Sequence, residues 1–488
     1  MAGAAMMPGA ARPLPARAVA AVLLVAAVAL RAIDFGNPII HVDEQYYLLV
    51  GQHLLDGALP YVDVWDRKPV GLFLLYAGAA ALPGDDILGY QLLATLAAAL
   101  TAFLVYAGAL RIGATRAGAF AAAGAYLLWL SLLGGRGGQA PVFYNLPVTA
   151  AALLTLRLPR LSARAIIING AIACLLAGLA IQIKPTAAFE GAFFGLAHVW
   201  WLWRSGARAV LIPATLLWVL LGAAPTVAVV AVYARLGHLD AWWFANITSI
   251  LLRPPYPSSQ IAMRLLGIVA VLSPLILCTA IAWRRRRVRL TGERALAFLW
   301  LAAAGVGFAA IGTFFDHYAL PLIAPFAVLA AIGLGRHPRL LVGTLGFALL
   351  LFLVESAFVA NDRAGARAVG RVVAANSHGQ CPYVFIGDTI TYSLADACLP
   401  TAYAFPNFLA YTTEQGATGI DEAGEVRRIL ADRPPVIVTS TRRLEIWNQA
   451  SLAVLKPALT AHYRPVFSVP RARYRTIVYL RRDLRFTT

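Results

Sequence analysis

Two clusters of charged residues lie close together near the amino terminus of this chain of 488 residues. The first is the carboxylate pair Asp43 and Glu44, and the second is the run of Asp66, Arg67 and Lys68. A carboxylate can activate a hydroxyl group, and adjacent carboxylates can hold a divalent cation such as Mg²⁺ or Mn²⁺. Neighbouring cations can neutralise the charge of a phosphate leaving group. The clusters therefore predict a catalytic site, with an ordinary solvated loop as the plainer alternative.

Long apolar blocks surround these clusters. Of all residues, 60% are hydrophobic and 13% are charged, whereas an average soluble domain has roughly 25% charged residues. Blocks such as 92–110, 265–283 and 340–354 approach the ~20 residues with which a helix crosses the hydrocarbon layer. The composition predicts a multi-pass α-helical membrane protein. Carboxylates at a membrane boundary are costly unless they serve a site or a pair, which weakens the solvated-loop alternative.

About eleven transmembrane spans are predicted from apolar windows of ~20 residues. Their approximate positions are 18–35, 87–110, 117–133, 141–157, 165–182, 187–203, 209–233, 261–283, 295–314, 319–335 and 339–358. Short connectors rich in arginine alternate with longer aromatic and acidic ones, and the arginine connectors are expected on the cytoplasmic side. The net charge of +18 therefore reflects orientation, and no nucleic-acid partner is predicted. The connectors expected outside are 36–86, 134–140, 234–260 and 315–318.

From about Ala360 the composition becomes that of a soluble domain. Short β-type runs at 383–387, 435–439 and 476–480 accompany a polar-faced helix at 421–430. This pattern predicts a small α/β domain over 359–488, after a transmembrane catalytic domain over 1–358. An internal amino terminus and an odd number of spans both place the small domain outside the cytoplasm. Cys381 and Cys398 could pair there if the compartment is oxidising.

The first outer loop resembles that of a known family. Its residues His41-Val-Asp43-Glu44-Gln-Tyr46-Tyr and Asp66-Arg-Lys68-Pro69 are similar to the first loop of GT-C glycosyltransferases of the protein-mannosyltransferase and aminoarabinose-transferase type. The segment Phe315-Asp316-His317-Tyr318-Ala-Leu-Pro321 resembles a segment with which that family enters a late span. Val70 replaces a second proline of the family pattern, and the resemblance is weak over residues 360–488.

The resemblance implies GT-C architecture and inverting sugar transfer from a polyprenyl-phosphate donor. It implies that Asp43 is the catalytic carboxylate, with Glu44 beside it, and that Lys68 lies near the donor phosphate. We therefore hypothesise a bacterial inner-membrane glycosyltransferase whose active site and C-terminal domain face the periplasm. Its acceptor would be lipid A, another envelope glycan or a protein. The sequence identifies neither the sugar nor the acceptor.

Further residues are candidates for binding the donor phosphate or another part of the substrates. They are Tyr46, Asp66, Arg67, Arg136, Lys184, His317 and Tyr318. His317 and Tyr318 could hydrogen-bond the donor phosphate or could be polar residues at a helix end. Lys184 could bind phosphate or extend to the membrane surface. Arg136 stands in a glycine-rich turn, which would allow a ligand to approach the backbone.

Two other classes of protein stay open. A transporter or lipid flippase would carry its ionisable residues near the middle of the membrane, whereas these candidates lie at span ends on one face. A non-catalytic scaffold would tolerate substitutions throughout the loop 36–86. A requirement for a divalent cation at Asp43 and Glu44 also stays open.

Overall fold

The computed structural model describes residues 15–284, 292–358, 362–442, 447–471 and 474–488, and helices dominate this part of the chain. The helices of ten or more residues are α1 (Ala16–Arg31), α2 (Val42–Leu55), α3 (Val70–Ala80), α4 (Asp86–Arg111), α5 (Arg116–Leu132), α6 (Ala140–Thr155), α7 (Ala163–Ile181), α8 (Ala187–Arg204), α9 (Leu211–Arg235), α10 (Ser258–Arg284), α11 (Gly292–Ala310), α12 (Leu320–Leu334), α13 (Pro338–Phe358), α14 (Arg363–Asn376), α15 (Glu422–Ala431) and α16 (Gln449–His462). Shorter helical segments are Leu239–Trp243, Phe244–Thr248, Ser249–Leu251, Ile390–Leu394 and Pro406–Ala410.

Each predicted span coincides with one helix, namely α1 and then α4 to α13, with ends that differ by a few residues. Among the described residues, nine helices are long and apolar enough to cross a membrane. Of the remaining two, α5 has only 17 residues, and α8 contains the charged residues Glu190 and Arg204. The structure confirms the prediction of a multi-pass helical membrane protein with a small C-terminal α/β region.

The arginine-rich connectors lie at one end of the helical bundle, and the aromatic and acidic connectors lie at the other end. At one end, the arginine-rich connectors meet: Arg160 binds Glu293 at 2.8 Å, and the Thr115 hydroxyl donates to the Gly335 carbonyl at 3.3 Å. At the other end, the aromatic and acidic connectors meet the C-terminal region. This separation is the one that the charge pattern predicts. Which end faces the cytoplasm stays a prediction.

Helices α2 and α3 lie within the first outer loop and pack closely together. A Cβ at Gly51 would lie 2.7 Å from the backbone nitrogen of Ala77, so a larger residue would separate the two helices. In the segment between them, the Tyr61 hydroxyl donates to the Lys68 carbonyl at 2.8 Å. The Tyr46 hydroxyl donates to the Trp65 carbonyl at 2.6 Å. These bonds hold the charged run 66–68 against α2.

The C-terminal region, here called the outer domain, contains a four-stranded sheet. Its strands β1 (Tyr383–Val384), β2 (Val436–Ser440), β3 (Tyr463–Pro470) and β4 (Arg475–Arg481) lie in the order β1-β2-β4-β3. Strands β1 and β2 are parallel, and the other pairs are antiparallel. The predicted strands and the predicted helix correspond to β1, β2, β4 and α15. Strand β3 and helix α16 were not predicted, because Pro465 and Pro457 interrupt their sequence patterns.

The cysteines of the outer domain answer the question that the sequence left open. Cys381 and Cys398 form a disulfide, whereas Cys174 and Cys278 are free and buried in the helical bundle. Disulfides persist in oxidising compartments, which agrees with an outer domain that faces away from the cytoplasm. The predicted domain boundary at 358/359 adjoins residues 359–361, which lie outside the described residues.

We predict that the two ends of the bundle react differently with a membrane-impermeant maleimide. Lys456→Cys, on the exposed part of α16, should be labelled in intact cells. Ser205→Cys, exposed between α8 and α9, should be labelled only after the membrane is permeabilised. The unsubstituted chain is the control, since its free cysteines are buried. The reverse pattern of labelling would contradict the predicted orientation.

Candidate active site

The outer connectors bring charged and aromatic side chains to two adjoining cavities. The outer cavity, of about 210 Å³, reaches the outer domain, and the membrane-side cavity, of about 250 Å³, extends between the helices. Both are lined by the same central residues, which are Asp43, Tyr47, Arg67, Lys68, Arg253, His317 and Tyr318. Most of these residues are ones that the sequence singled out, and the fold brings them together from separate connectors.

Asp43 lies in the first turn of α2, where the helix dipole favours a negative charge. A ring nitrogen of His41 accepts a hydrogen bond from the Asp43 backbone N–H at 3.2 Å. The Asp43 carboxylate lies 3.5 Å from the Gln139 amide and 3.9 Å from the His317 ring. Burial raises the pKa of Asp43, but His41, Lys68 and His317 lower it more, so the pKa is well below its usual range. Asp43 is therefore an ionised carboxylate that faces both cavities.

Glu44, the next residue of α2, points away from the cavities. Its side chain is fully buried and is absent from the lining of both cavities. One carboxylate oxygen accepts from the Tyr90 hydroxyl at 3.4 Å, and the other has no partner among the described residues. Burial raises the pKa of Glu44 to about 7, against the opposing effects of His41, the Gly138 backbone N–H and Arg31. Its catalytic and metal-binding roles stay predictions, and its position is that of a supporting residue.

The glycine-rich turn between α5 and α6 delivers Gln139 to Asp43. Arg31 of α1 donates to the carbonyls of Gly135 and Gly137, in each case at 2.5 Å. A Cβ at Gly137 would overlap the Glu44 carboxylate, so glycine is required for this close approach. The turn is thus fixed by buried polar contacts on both sides.

Arg136 lies in the same turn but points away from the cavities. Its guanidinium donates to Asp34 at 2.8 Å and to Ser356 at 2.9 Å. It lines neither cavity. These bonds tie the segment after α1 to the end of α13, so we do not include Arg136 among the residues that would contact substrate.

Two arginines share one carboxylate at the junction of the cavities. Arg67 forms an ion pair with Glu414 of the outer domain, and Arg253 binds the other oxygen of Glu414 at 2.9 Å. Three of their buried nitrogens, which are Arg67 Nε, Arg67 Nη2 and Arg253 Nε, have no hydrogen-bond partner in the described part of the chain. A buried donor without a partner costs free energy. An anionic ligand at this position would supply the missing acceptors.

Two lysines approach the same position and differ in charge. Lys68 Nζ lies 5.4 Å from the centre of the Tyr47 ring, and Lys184 Nζ lies 4.1 Å from the centre of the Tyr318 ring. Burial lowers the pKa of Lys68, but Asp66 and Asp43 more than compensate, so its pKa is raised. Burial, with a contribution from Lys68, lowers the pKa of Lys184 to about 7. Lys68 is therefore protonated, whereas Lys184 titrates near neutral pH.

The remaining candidates from the sequence border the outer cavity. Asp66 is buried and accepts from the Arg67 backbone N–H at 2.6 Å. Burial raises the pKa of Asp66, and the cations Lys68 and Arg67 oppose this effect. The Tyr46 ring stacks on Phe405 at 4.9 Å, which joins α2 to the outer domain. The His317 ring lies 5.1 Å from the His41 ring, and His317 and Tyr318 both line the outer cavity.

Three further residues of the site were not predicted from the sequence: Gln139, Arg253 and Glu414. Each comes from a different connector or from the outer domain, so only the fold places it beside the first loop. Arg253 did carry a signal, because it is an arginine in a connector that the charge pattern places outside the cytoplasm. Gln139 and Glu414 carried none that distinguishes them from other polar residues.

The sequence left open whether Asp43 and Glu44 bind a divalent cation. In the structure Asp43 lines both cavities, whereas Glu44 lines neither. In the described ranges, no group of three or more His, Cys, Asp or Glu side chains is placed to hold a metal ion. We therefore derive no catalytic step through a metal ion, and a metal requirement stays open.

The fold is similar to that of solved membrane enzymes. ArnT from Cupriavidus metallidurans bound to undecaprenyl phosphate is 14% identical over 95% of this chain and 97% of that chain, with a TM-score of 0.61. The apo state of that ArnT gives a TM-score of 0.64. The Archaeoglobus fulgidus oligosaccharyltransferase AglB, in complex with an inhibitory peptide and a dolichol-phosphate, is 12% identical over 94% of this chain and 74% of that chain, with a TM-score of 0.51.

These similarities identify the architecture. No protein-family model matches the sequence, and no curated protein sequence matches it. At the identities above, the structural similarity establishes the fold alone. The chain has the GT-C fold, which confirms the architecture that the resemblance of the first loop implied.

We predict that Gly137→Ala destabilises the protein, because the added methyl group would collide with the buried Glu44 carboxylate. Overpacking of this kind costs about 1–3 kcal/mol, which should lower the melting temperature measured in detergent. Gly343→Ala is the matched control, since a Cβ there meets nothing within 4 Å. Equal melting temperatures for Gly137→Ala and the unsubstituted protein would contradict the placement of Glu44.

Proposed function

We propose that this protein is an inverting glycosyltransferase that moves one sugar from a polyprenyl-phosphate donor to an acceptor outside the cytoplasm. The observation that carries the proposal is the pairing of one ionised carboxylate, Asp43, with the cations Arg67, Lys68 and Arg253 around joined cavities. Transfer from a sugar phosphate needs one group that orients the attacking hydroxyl. It also needs positive charge where the phosphate leaves.

The membrane-side cavity supports a lipid-linked donor. Its walls combine the apolar side chains of Phe189, Ile250 and Ile311 with the amines of Lys68 and Lys184. An isoprenoid chain would pack against the apolar wall, while its phosphate would accept hydrogen bonds from the cations. The neighbours ArnT and AglB have been solved with undecaprenyl phosphate and with a dolichol-phosphate, respectively. By this analogy, the donor here is a polyprenyl phosphate that carries one sugar.

The reaction in this proposal is a single displacement. The acceptor hydroxyl donates a hydrogen bond to Asp43, attacks the anomeric carbon of the sugar and transfers its proton to the Asp43 carboxylate as the new C–O bond forms. The bond between the anomeric carbon and the phosphate oxygen breaks, and the polyprenyl phosphate leaves with the bonding electrons. Arg67, Lys68 and Arg253 stabilise the negative charge of that phosphate. Attack from the face opposite the leaving group inverts the configuration.

The outer cavity is the proposed route for the acceptor, because it opens toward the outer domain. The acceptor would be lipid A, another envelope glycan or a protein, reached from the periplasmic side of a bacterial inner membrane. The disulfide of the outer domain supports an oxidising compartment. The rival function, a transporter or flippase, fits less well, because the buried cations described above lie in connectors at one end of the bundle.

We predict that Asp43→Asn lowers the rate of sugar transfer by about 10²–10⁴-fold, the usual range for loss of a general base. Lys68→Ala should lower the rate by about 10²–10³-fold, as expected for loss of one group that stabilises leaving-group charge. Transfer is measured in membranes supplied with the lipid extract of the native source. Asp56→Asn is the control, since this exposed residue ends α2 away from the cavities. Normal transfer by both active-site variants would contradict the proposed function.

We predict that donor binding weakens as the pH rises through about 7, because Lys184 loses its proton there. The sign follows from the lowered pKa of Lys184: the amine is charged below pH 7 and neutral above it. The measurement is the pH profile of kcat/KM for the donor between pH 6 and 9. Lys184→Arg should remove the decrease in kcat/KM near pH 7, because an arginine stays charged over this range. If kcat/KM of Lys184→Arg still decreases near pH 7, another group is responsible for the pH dependence.

A further inference from the structure

A third cavity extends the outer cavity into the junction with the outer domain. It has a volume of about 240 Å³ and shares six lining residues with the outer cavity: Val42, Tyr256, Phe315, Phe405, Asn407 and Thr413. No residue discussed above for catalysis or donor binding lines it. We refer to it as the junction cavity.

The junction cavity lies at one edge of the outer-domain sheet. Residues 386–389 follow β1 and line the cavity, as do Ser440, at the end of β2, and Arg442 just beyond it. Strands β1 and β2 are parallel, so their carboxyl ends lie at the same edge. Open α/β sheets bind ligands outside the carboxyl ends of their strands. The junction cavity thus lies at the carboxyl ends of the parallel strand pair of this sheet.

The charges of the junction cavity leave an excess of positive charge. Its acidic residue, Asp388, binds Arg471 at 2.5 Å and is neutralised by that partner. Arg264 and Arg442 form no ion pair with any carboxylate in the described part of the chain. One belongs to helix α10 of the membrane part and the other to the outer domain. A ligand between the two parts would therefore meet two arginines.

Arg264 is held in a fixed orientation. Its guanidinium lies 4.0 Å from the centre of the Phe315 ring and 4.5 Å from the centre of the Tyr256 ring. It donates one hydrogen bond to the Thr313 carbonyl at 2.8 Å. Arg442 lies 5.6 Å from the centre of the Tyr474 ring. Arginines oriented by aromatic rings present a planar set of donors, which suits carboxylate and phosphate groups.

The other lining residues favour a carbohydrate. The rings of Tyr256, Phe405 and Tyr411 supply apolar surface to the lining, and Gln260 and Asn407 supply amide donors and acceptors. A sugar ring combines an apolar face with hydroxyl groups and matches both kinds of side chain. An extended peptide would instead pair along the side of an edge strand, but β1, the edge strand that leads into the cavity-lining residues 386–389, has only two residues.

We infer that the junction cavity is the acceptor subsite and that the acceptor is a glycan with a phosphate or carboxylate group held between Arg264 and Arg442. This inference rests on the proposed function, since it names the substrate class for the same site. The acceptor hydroxyl would extend from the junction cavity through the outer cavity to Asp43.

The test is isothermal titration of the full-length protein in detergent with matched probes. The acidic probes are trigalacturonate and lactose 1-phosphate, and their neutral counterparts are the methyl ester of trigalacturonate and lactose. We expect at least one acidic probe to bind about tenfold or more tightly than its counterpart. Arg442→Gln and Arg264→Gln should each weaken that binding by about tenfold or more, whereas Arg264→Lys should retain part of it. Lys456→Gln, at an exposed position outside the cavity, should leave it unchanged.

Three outcomes would overturn the inference. They are equal binding of acidic and neutral probes, acidic-probe binding that survives both Arg→Gln substitutions, and selective binding of hexaglutamate, which would indicate a peptide acceptor. Binding of undecaprenyl phosphate by the same variants separates this inference from the proposed function. If that lipid binds normally to Arg442→Gln while the acidic glycan does not, both the proposed function and the inferred acceptor subsite stand. If the unsubstituted protein binds no polyprenyl phosphate, the proposed function fails whatever the glycan probes do.

Discussion

Buried charges at a membrane boundary must be balanced, since an unpaired buried ion costs several kcal/mol, and this constraint organises the whole outer end of the molecule. The Asp43 and Asp66 carboxylates are balanced by Lys68, and Glu414 is balanced by Arg67 and Arg253. Unpartnered arginine nitrogens remain at the same place. A phosphate would supply hydrogen-bond acceptors for these nitrogens, so the arginines that balance Glu414 are also the ones that would bind the donor phosphate.

Buried contacts around this cluster hold its residues in position. Arg31 holds the glycine-rich turn, Glu44 packs against that turn from α2, and Gln139 extends from it to Asp43. The outer domain contributes directly through Glu414, so the cluster is complete only when the membrane part and the outer domain are docked. A substrate that contacts both parts would therefore be recognised by the same junction that assembles the charges.

The sequence predicted the membrane part well, because long apolar blocks and the placement of arginine are strong local signals. The carboxylate and cation clusters were also visible, since they stand within one loop. The orientation of Glu44 was not visible in the sequence. Adjacent residues of a helix point in different directions, and only the packing around the helix decides which of them faces a cavity. Glu414 lies 347 residues from Arg67, and contacts over such distances follow from the fold alone.

The most direct test of the central claim is a cryo-electron microscopy structure of full-length Asp43→Asn in a lipid nanodisc with undecaprenyl phosphate. The account predicts that the phosphate lies within about 3 Å of donors of Arg67 and Lys68, with the isoprenoid chain along Phe189 and Ile250. A phosphate bound elsewhere, or bound with no contact to either of these cations, would contradict it.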